Sequence, residues 1–134
     1  MLHALHNDDL GKLLLRLSVG GLMLLHGIAK LTNPGSLTWI GNALSAQGLP
    51  SFLAYGVLVG EIVAPLMAII GLQTRLAGLL MTCNMLVAIF LVHRHELLDF
   101  QANGAWALEL QGLFLFGAAA IMFLGSGRTA YRPD

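Results

Sequence analysis

His26 and Lys30 stand four residues apart in the stretch LMLLHGIAKL, and Glu61, His93 and Glu109 each interrupt or close a later apolar run of the same chain. A spacing of four puts two side chains on one face of a helix, one above the other. Imidazole and carboxylate groups exchange protons, and an ammonium steadies developing negative charge. The set could therefore serve proton-coupled chemistry on a bound ligand, with Glu61 and His26 as the catalytic pair and Lys30, His93 and Glu109 completing the binding site. Histidine and carboxylate are also metal ligands, so His26, His93 and Glu61 offer an alternative metal set. Whether these residues meet depends on the elements that carry them.

Those elements are apolar. Of 134 residues, 57% are hydrophobic and only 10% charged, and the mean hydropathy is +0.77. A soluble domain is nearer a quarter charged. The length suits one domain spanning residues 1–134, and the formal net charge of zero gives no electrostatic footprint for nucleic acid. The single cysteine, Cys83, excludes an intrachain disulfide and a CxxC redox pair.

Four stretches, about residues 13–31, 52–72, 76–92 and 105–124, are long and apolar enough to cross a bilayer, which takes ~20 residues. Backbone groups in lipid must be satisfied internally, so the spans are helices and the fold class is an all-α integral membrane four-helix bundle. Pro65 lacks an N–H and frees the carbonyl of Glu61 one turn earlier. Between the first two spans, Leu37, Ile40 and Leu44 recur at helical spacing beside Trp39, predicting a short interfacial helix. The start MLHALHNDDLGK carries two aspartates where a signal peptide would be basic, and reads as a polar tail leading into the first span. Lys12, Arg16, Arg75, Arg128 and Arg132 fall on one side and Lys30 and Arg94 on the other, which predicts cytoplasmic termini. Arg16 is expected to snorkel to the headgroups on its side, and Trp106 to anchor at an interface. Lys30 has two readings, snorkelling or joining the site.

Alternating spans bring the ionisable residues to one level. At ~1.5 Å per residue, His26 falls roughly 7–8 Å below the outer boundary, Glu61 about 13 Å and Glu109 roughly 6 Å, with His93 closing its span on that side. A charge at mid-bilayer costs ~2.5–3.5 kcal/mol, so such groups face the bundle interior and pair. Asn84, Thr82 and Gln111 read as hydrogen-bonding groups between helices.

In its order and spacing the chain resembles the DoxX family of small four-span membrane proteins, from about Leu13 to Arg128. The marks are RLSVGGLMLLHGIAKL, GLP before the second span, GEIVAPLMAIIGLQTRLAGLL, the apolar run ending in His93, and GSGR at the close. The similarity includes His26, Gly27, Lys30, Gly60, Glu61, Arg75 and His93, and departs at Ser126, where proline often stands. The resemblance implies a quinone-linked redox component, since the family takes its name from a subunit of a quinone-linked thiosulfate-oxidising system and many relatives are labelled quinol oxidase subunits or oxidoreductases. His, Glu and Lys carry no electrons, so turnover would need a bound quinone, a haem b or metal ion held by histidines, or a membrane or periplasmic redox partner. A non-catalytic assembly subunit is a further alternative, and a transporter ranks last because four short spans would need oligomers to form a pathway. Small residues at Gly20, Gly21, Gly112, Gly117 and Ala118–Ala120 suit close contacts within or between copies of a homo-oligomer.

Overall fold

The computed structural model describes residues 2–134, apart from the side chain of Pro34. After a 3₁₀ turn at Leu2–Leu5, helix α1 runs Asp8–Thr32. Its start is fixed locally: the Asn7 side chain accepts a hydrogen bond from the Leu10 N–H at 3.0 Å, and Asp8 and Asp9 sit in the first turn, where negative charge is favoured. Helix α2, Pro34–Ala46, follows after one residue and begins on proline, whose missing N–H costs nothing at that position. It packs against the opening turn of helix α3, Ser51–Ile70. Helix α4 covers Thr74–Glu96, and helix α5 covers Glu109–Leu124. Among the described residues there is no strand, only an isolated bridge between Phe100 and Trp106.

Helices α1, α3 and α4 are long and apolar enough to cross a membrane. The fourth differs from expectation. Its 16 residues give a rise of roughly 24 Å, short of a ~30 Å hydrocarbon core. Residues 105–108, expected to be helical, belong to the connection. There the Trp106 indole N–H donates to the Leu97 carbonyl at 2.8 Å, and the Ala107 N–H to Asp99 at 3.0 Å. These bonds hold the backbone out of a helix until Glu109.

Helix α3 changes pitch three times: a 3₁₀ turn at Ser51–Tyr55, a short α segment, a π turn at Val59–Val63, then α again from Ala64 to Ile70. Proline explains the π turn. Pro65 cannot donate to the Glu61 carbonyl, and the Ala64 N–H reaches back five residues to Val59 instead. A second π turn, Ile89–His93, lies near the end of α4.

The core is built from small residues and methionines, with Ala64, Ala68, Ala77, Met81, Met85, Ala118 and Ile121 at its centre. Gly78 lets α4 lie against the backbone of α5 at Ala118 and Met122. Leu14, Leu22, Leu25, Leu113, Phe116 and Phe123 are exposed on the outside. An apolar rim around a small-residue core suits lipid as the surrounding solvent.

Arg16 corrects the snorkelling expectation. It is 1% exposed and points inward. Its Nε donates to Ala68 O at 2.8 Å and Nη2 to Ile69 O at 3.1 Å, while Nη1 donates to Ser126 O at 2.9 Å and Thr129 O at 2.6 Å. Ala68 and Ile69 end α3, where carbonyls have no helical partner, so the buried guanidinium caps that helix. The same contacts strap the chain's end onto the bundle, helped by Tyr131 N–H to Ile70 O and Arg132 N–H to Gly71 O, both 3.0 Å.

Candidate functional site: an ionic chamber between the helices

Lys30 and Glu61 meet at the opposite end of the bundle. Lys30 Nζ donates to Glu61 Oε1 at 2.6 Å, with side chains 27% and 7% exposed. Asn84 Nδ2 donates to Glu61 Oε2 at 3.3 Å. Both carboxylate oxygens are thus held, by α1 on one side and α4 on the other. A short charge-assisted bond of this kind is roughly twice as strong as a neutral one. Two glycines make the approach possible: Gly27, one turn before Lys30, lies against the backbone of Glu61, and Gly60 leaves room for the Asn84 side chain.

His93 ends the second π turn. Its Nδ1 lies 3.3 Å from Glu96 Oε1, and its Nε2 lies 3.4 Å from Gln111 Nε2. A carboxylate only accepts, so Nδ1 carries the hydrogen toward Glu96 while Nε2 accepts from the Gln111 carboxamide. His26 has a different arrangement. Its Nδ1 donates to Leu22 O at 3.0 Å, which leaves the Nε2 lone pair available. The ring stands edge-on to Phe114, 5.3 Å between centroids and 85° between planes.

These groups border two cavities. The larger, about 520 Å³, has Lys30, Glu61, Asn84 and His93 on its polar side, with Trp39 and Ile40 of α2 among its apolar lining. That volume lies within the range of small-molecule sites. The smaller, about 100 Å³, is lined by His26, Gln111 and Phe114 and shares Lys30, Glu61 and His93 with the first. The Lys30–Glu61 pair and His93 therefore stand between the two spaces.

Of the residues singled out in the sequence, Lys30, Glu61 and His93 border one chamber, and His26, itself exposed, contributes to the lining of the lesser cavity. Glu109 is not brought in. It is exposed in the first turn of α5, and its carboxylate has no hydrogen-bond or ion-pair partner among the described residues. Two residues later, roughly 200° around the helix, Gln111 takes the inward position. Among the described residues no group of three His, Cys, Asp or Glu side chains is arranged to hold a metal ion, so the set His26, His93 and Glu61 does not assemble as ligands. Both ring nitrogens of His93 are engaged, and the 100 Å³ space that it shares with His26 is smaller than a haem macrocycle. Asn84, read from the sequence only as a helix-pairing group, proves to be the second holder of Glu61. Its signal was present: it and Gln111 are carboxamides inside otherwise apolar runs.

The family model described as DoxX matches residues 11–94, which include Lys30, Glu61, Asn84 and His93. A Bacillus subtilis (strain 168) protein named "Putative oxidoreductase CatD" is 33% identical over 126 residues, covering 93% of this chain and 87% of that protein. A Haemophilus influenzae protein named "Uncharacterized protein" is 38% identical over 121 residues, covering 87% and 84%. No solved structure matches the chain significantly. With more than half of its length matched and with relatives aligned along most of it, the chain belongs to the DoxX family of small multi-span membrane proteins.

Proposed function

We propose that this protein is a quinone-linked redox component of the bacterial inner membrane, with both termini cytoplasmic and the chamber in the outer half of the bilayer. The observation that carries the reading is the Lys30–Glu61–Asn84 group bordering the 520 Å³ cavity. A buried carboxylate held by one cation and one amide can take up or release a proton without leaving its place. The name of the Bacillus subtilis relative, "Putative oxidoreductase CatD", is in keeping with that chemistry.

A quinone supplies two-electron, two-proton chemistry when bound. The chain supplies the rest. Trp39, Ile40 and Leu91 offer apolar surface to the ring, and Lys30 is placed to offset negative charge on a ring oxygen. Glu61 exchanges the proton, and the free Nε2 of His26 gives it a second acceptor across the smaller cavity. The chain has no cluster or disulfide pair that carries electrons, so they pass to or from a membrane or periplasmic redox partner.

The test is a spectroscopic titration of the protein in lipid nanodiscs with ubiquinol and menaquinol. Saturable binding is expected, weakened roughly tenfold or more by Glu61→Gln, equivalent to about 1.4 kcal/mol. Absence of binding, or binding indifferent to Glu61→Gln, overturns the proposal.

A further inference from the structure

A third cavity, about 320 Å³, adjoins the chamber, and the two share Ile40, Val57, Asn84, Val87 and Leu91. Past that common wall its lining turns apolar, with Leu44, Leu49, Leu53, Leu80 and Cys83. Leu49, Leu53, Val87 and Cys83 are exposed, so the cavity is a groove open to the bundle's flank between α2, α3 and α4. Helix α2 covers both spaces: Ile40 lines each, and Leu44, one turn on, lines the groove.

We infer that this groove seats the apolar tail of the chamber's ligand, so that the substrate class is long-tailed membrane quinones rather than water-soluble redox molecules. The inference rests on the reading of the chamber as a quinone site. It follows from continuity and polarity. A ring oxygen placed at Lys30 and Glu61 directs the rest of the molecule past Asn84, and the space that begins at Asn84 is apolar and open to lipid. Lipid chains are as apolar as the groove, so seating the tail adds little affinity. Its effect is to orient the ring and to give it a lateral route from the bilayer.

Cys83, the chain's single cysteine, is an internal probe because it lines the groove and is exposed. The experiment follows its alkylation by N-ethylmaleimide in nanodiscs, with ring binding read separately by titration. The probes are decylubiquinol and the same quinol ring without a tail. At about ten times its half-saturating level, decylubiquinol is expected to slow labelling about tenfold, and the tail-less ring less than about twofold. Glu61→Gln should cut the protection to about twofold or less at that concentration. Binding of decylubiquinol without protection of Cys83, or equal protection by both probes, overturns the tail assignment and leaves the chamber reading intact. Protection by added phospholipid that is undiminished in Glu61→Gln makes the groove an acyl-chain site and also overturns it. Failure of both probes to bind sinks the chamber reading and this inference with it.

Discussion

Gly27 lies flush against the main-chain carbonyl of Glu61. A Cβ at position 27 would overlap that oxygen and come within 2.7 Å of the Glu61 carbonyl carbon and of Ile62 Cγ1. Backbone cannot swing aside as a side chain does, so Gly27→Ala must push α1 away from α3. The expected loss is about 2–3 kcal/mol of stability, together with loss of quinol binding, because Lys30 follows Gly27 by one turn on the same face. Gly21 is the control. Nothing lies within 4 Å of a Cβ there, and Gly21→Ala should gain roughly 0.5–1 kcal/mol from helix propensity. Denaturant unfolding in mild detergent measures both, and equal behaviour of the two variants would remove the steric argument.

The Lys30–Glu61 pair predicts an asymmetry. Glu61 is the more buried partner, 7% against 27%. Removing the lysine strands a carboxylate with only Asn84 to satisfy it, whereas removing the carboxylate frees a long side chain that can extend toward the interface. Lys30→Met should therefore cost about 3 kcal/mol and Glu61→Gln about 1 kcal/mol. The double variant should be more stable than Lys30→Met alone by at least ~1 kcal/mol, since no charge is left unpaired. A thermodynamic cycle of the four proteins decides it; additive costs would show that the pair does not act as one unit.

Arg16 holds four carbonyls from two segments that are far apart in sequence. Arg16→Lys keeps the charge but loses the planar fork that reaches Ala68 and Ile69 on one edge and Ser126 and Thr129 on the other. The expected loss for Arg16→Lys is about 2–3 kcal/mol, and for Arg16→Met more than ~4 kcal/mol. Release of the strap should also show in limited trypsin digestion. Cleavage at Arg128 is expected to accelerate in both variants, while the chamber, at the other end, keeps its ligand affinity in whatever fraction stays folded. Unchanged proteolysis would mean that the tail is held by Tyr131 and Arg132 without help from the guanidinium.

The parts legible in the sequence were those fixed by local rules. Hydropathy located three spans closely, and Leu37, Ile40 and Leu44 disclosed α2, because burial patterns repeat along a helix whatever it packs against. Glu61 stood out because an acid in so apolar a run needs a partner. What was not legible depended on other segments. Arg16 looked like a snorkelling cation because the carbonyls that receive it belong to Ala68, Ile69, Ser126 and Thr129, which no pattern around residue 16 reveals. Glu109 lies off the chamber for a related reason. The connection through Phe100 and Trp106 delays the start of α5, and that delay turns residue 109 outward and residue 111 inward.

Pro65 offers a test that separates site geometry from stability. Its missing N–H leaves the Glu61 carbonyl without a helical donor, and the π turn at Val59–Val63 follows from that vacancy. Pro65→Ala restores the donor. With it, the turn can relax to an ordinary α-helix, which rotates residues on its N-terminal side by roughly 100° against those beyond it. Glu61 would then swing away from Lys30 and Asn84. The helix itself should not suffer, because alanine is about 3 kcal/mol better than proline in a helix interior. The gain in the helix is offset by the cost of parting Glu61 from Lys30, also about 3 kcal/mol. The expected outcome is therefore a melting temperature close to that of the parent, with quinol affinity down roughly tenfold, about 1.4 kcal/mol. Amide exchange at Ala64 and residue 65 reports the new hydrogen bond directly. If the bond forms and affinity stays the same, the π turn has no part in aiming Glu61, and Gly27 and Gly60 alone must account for its position.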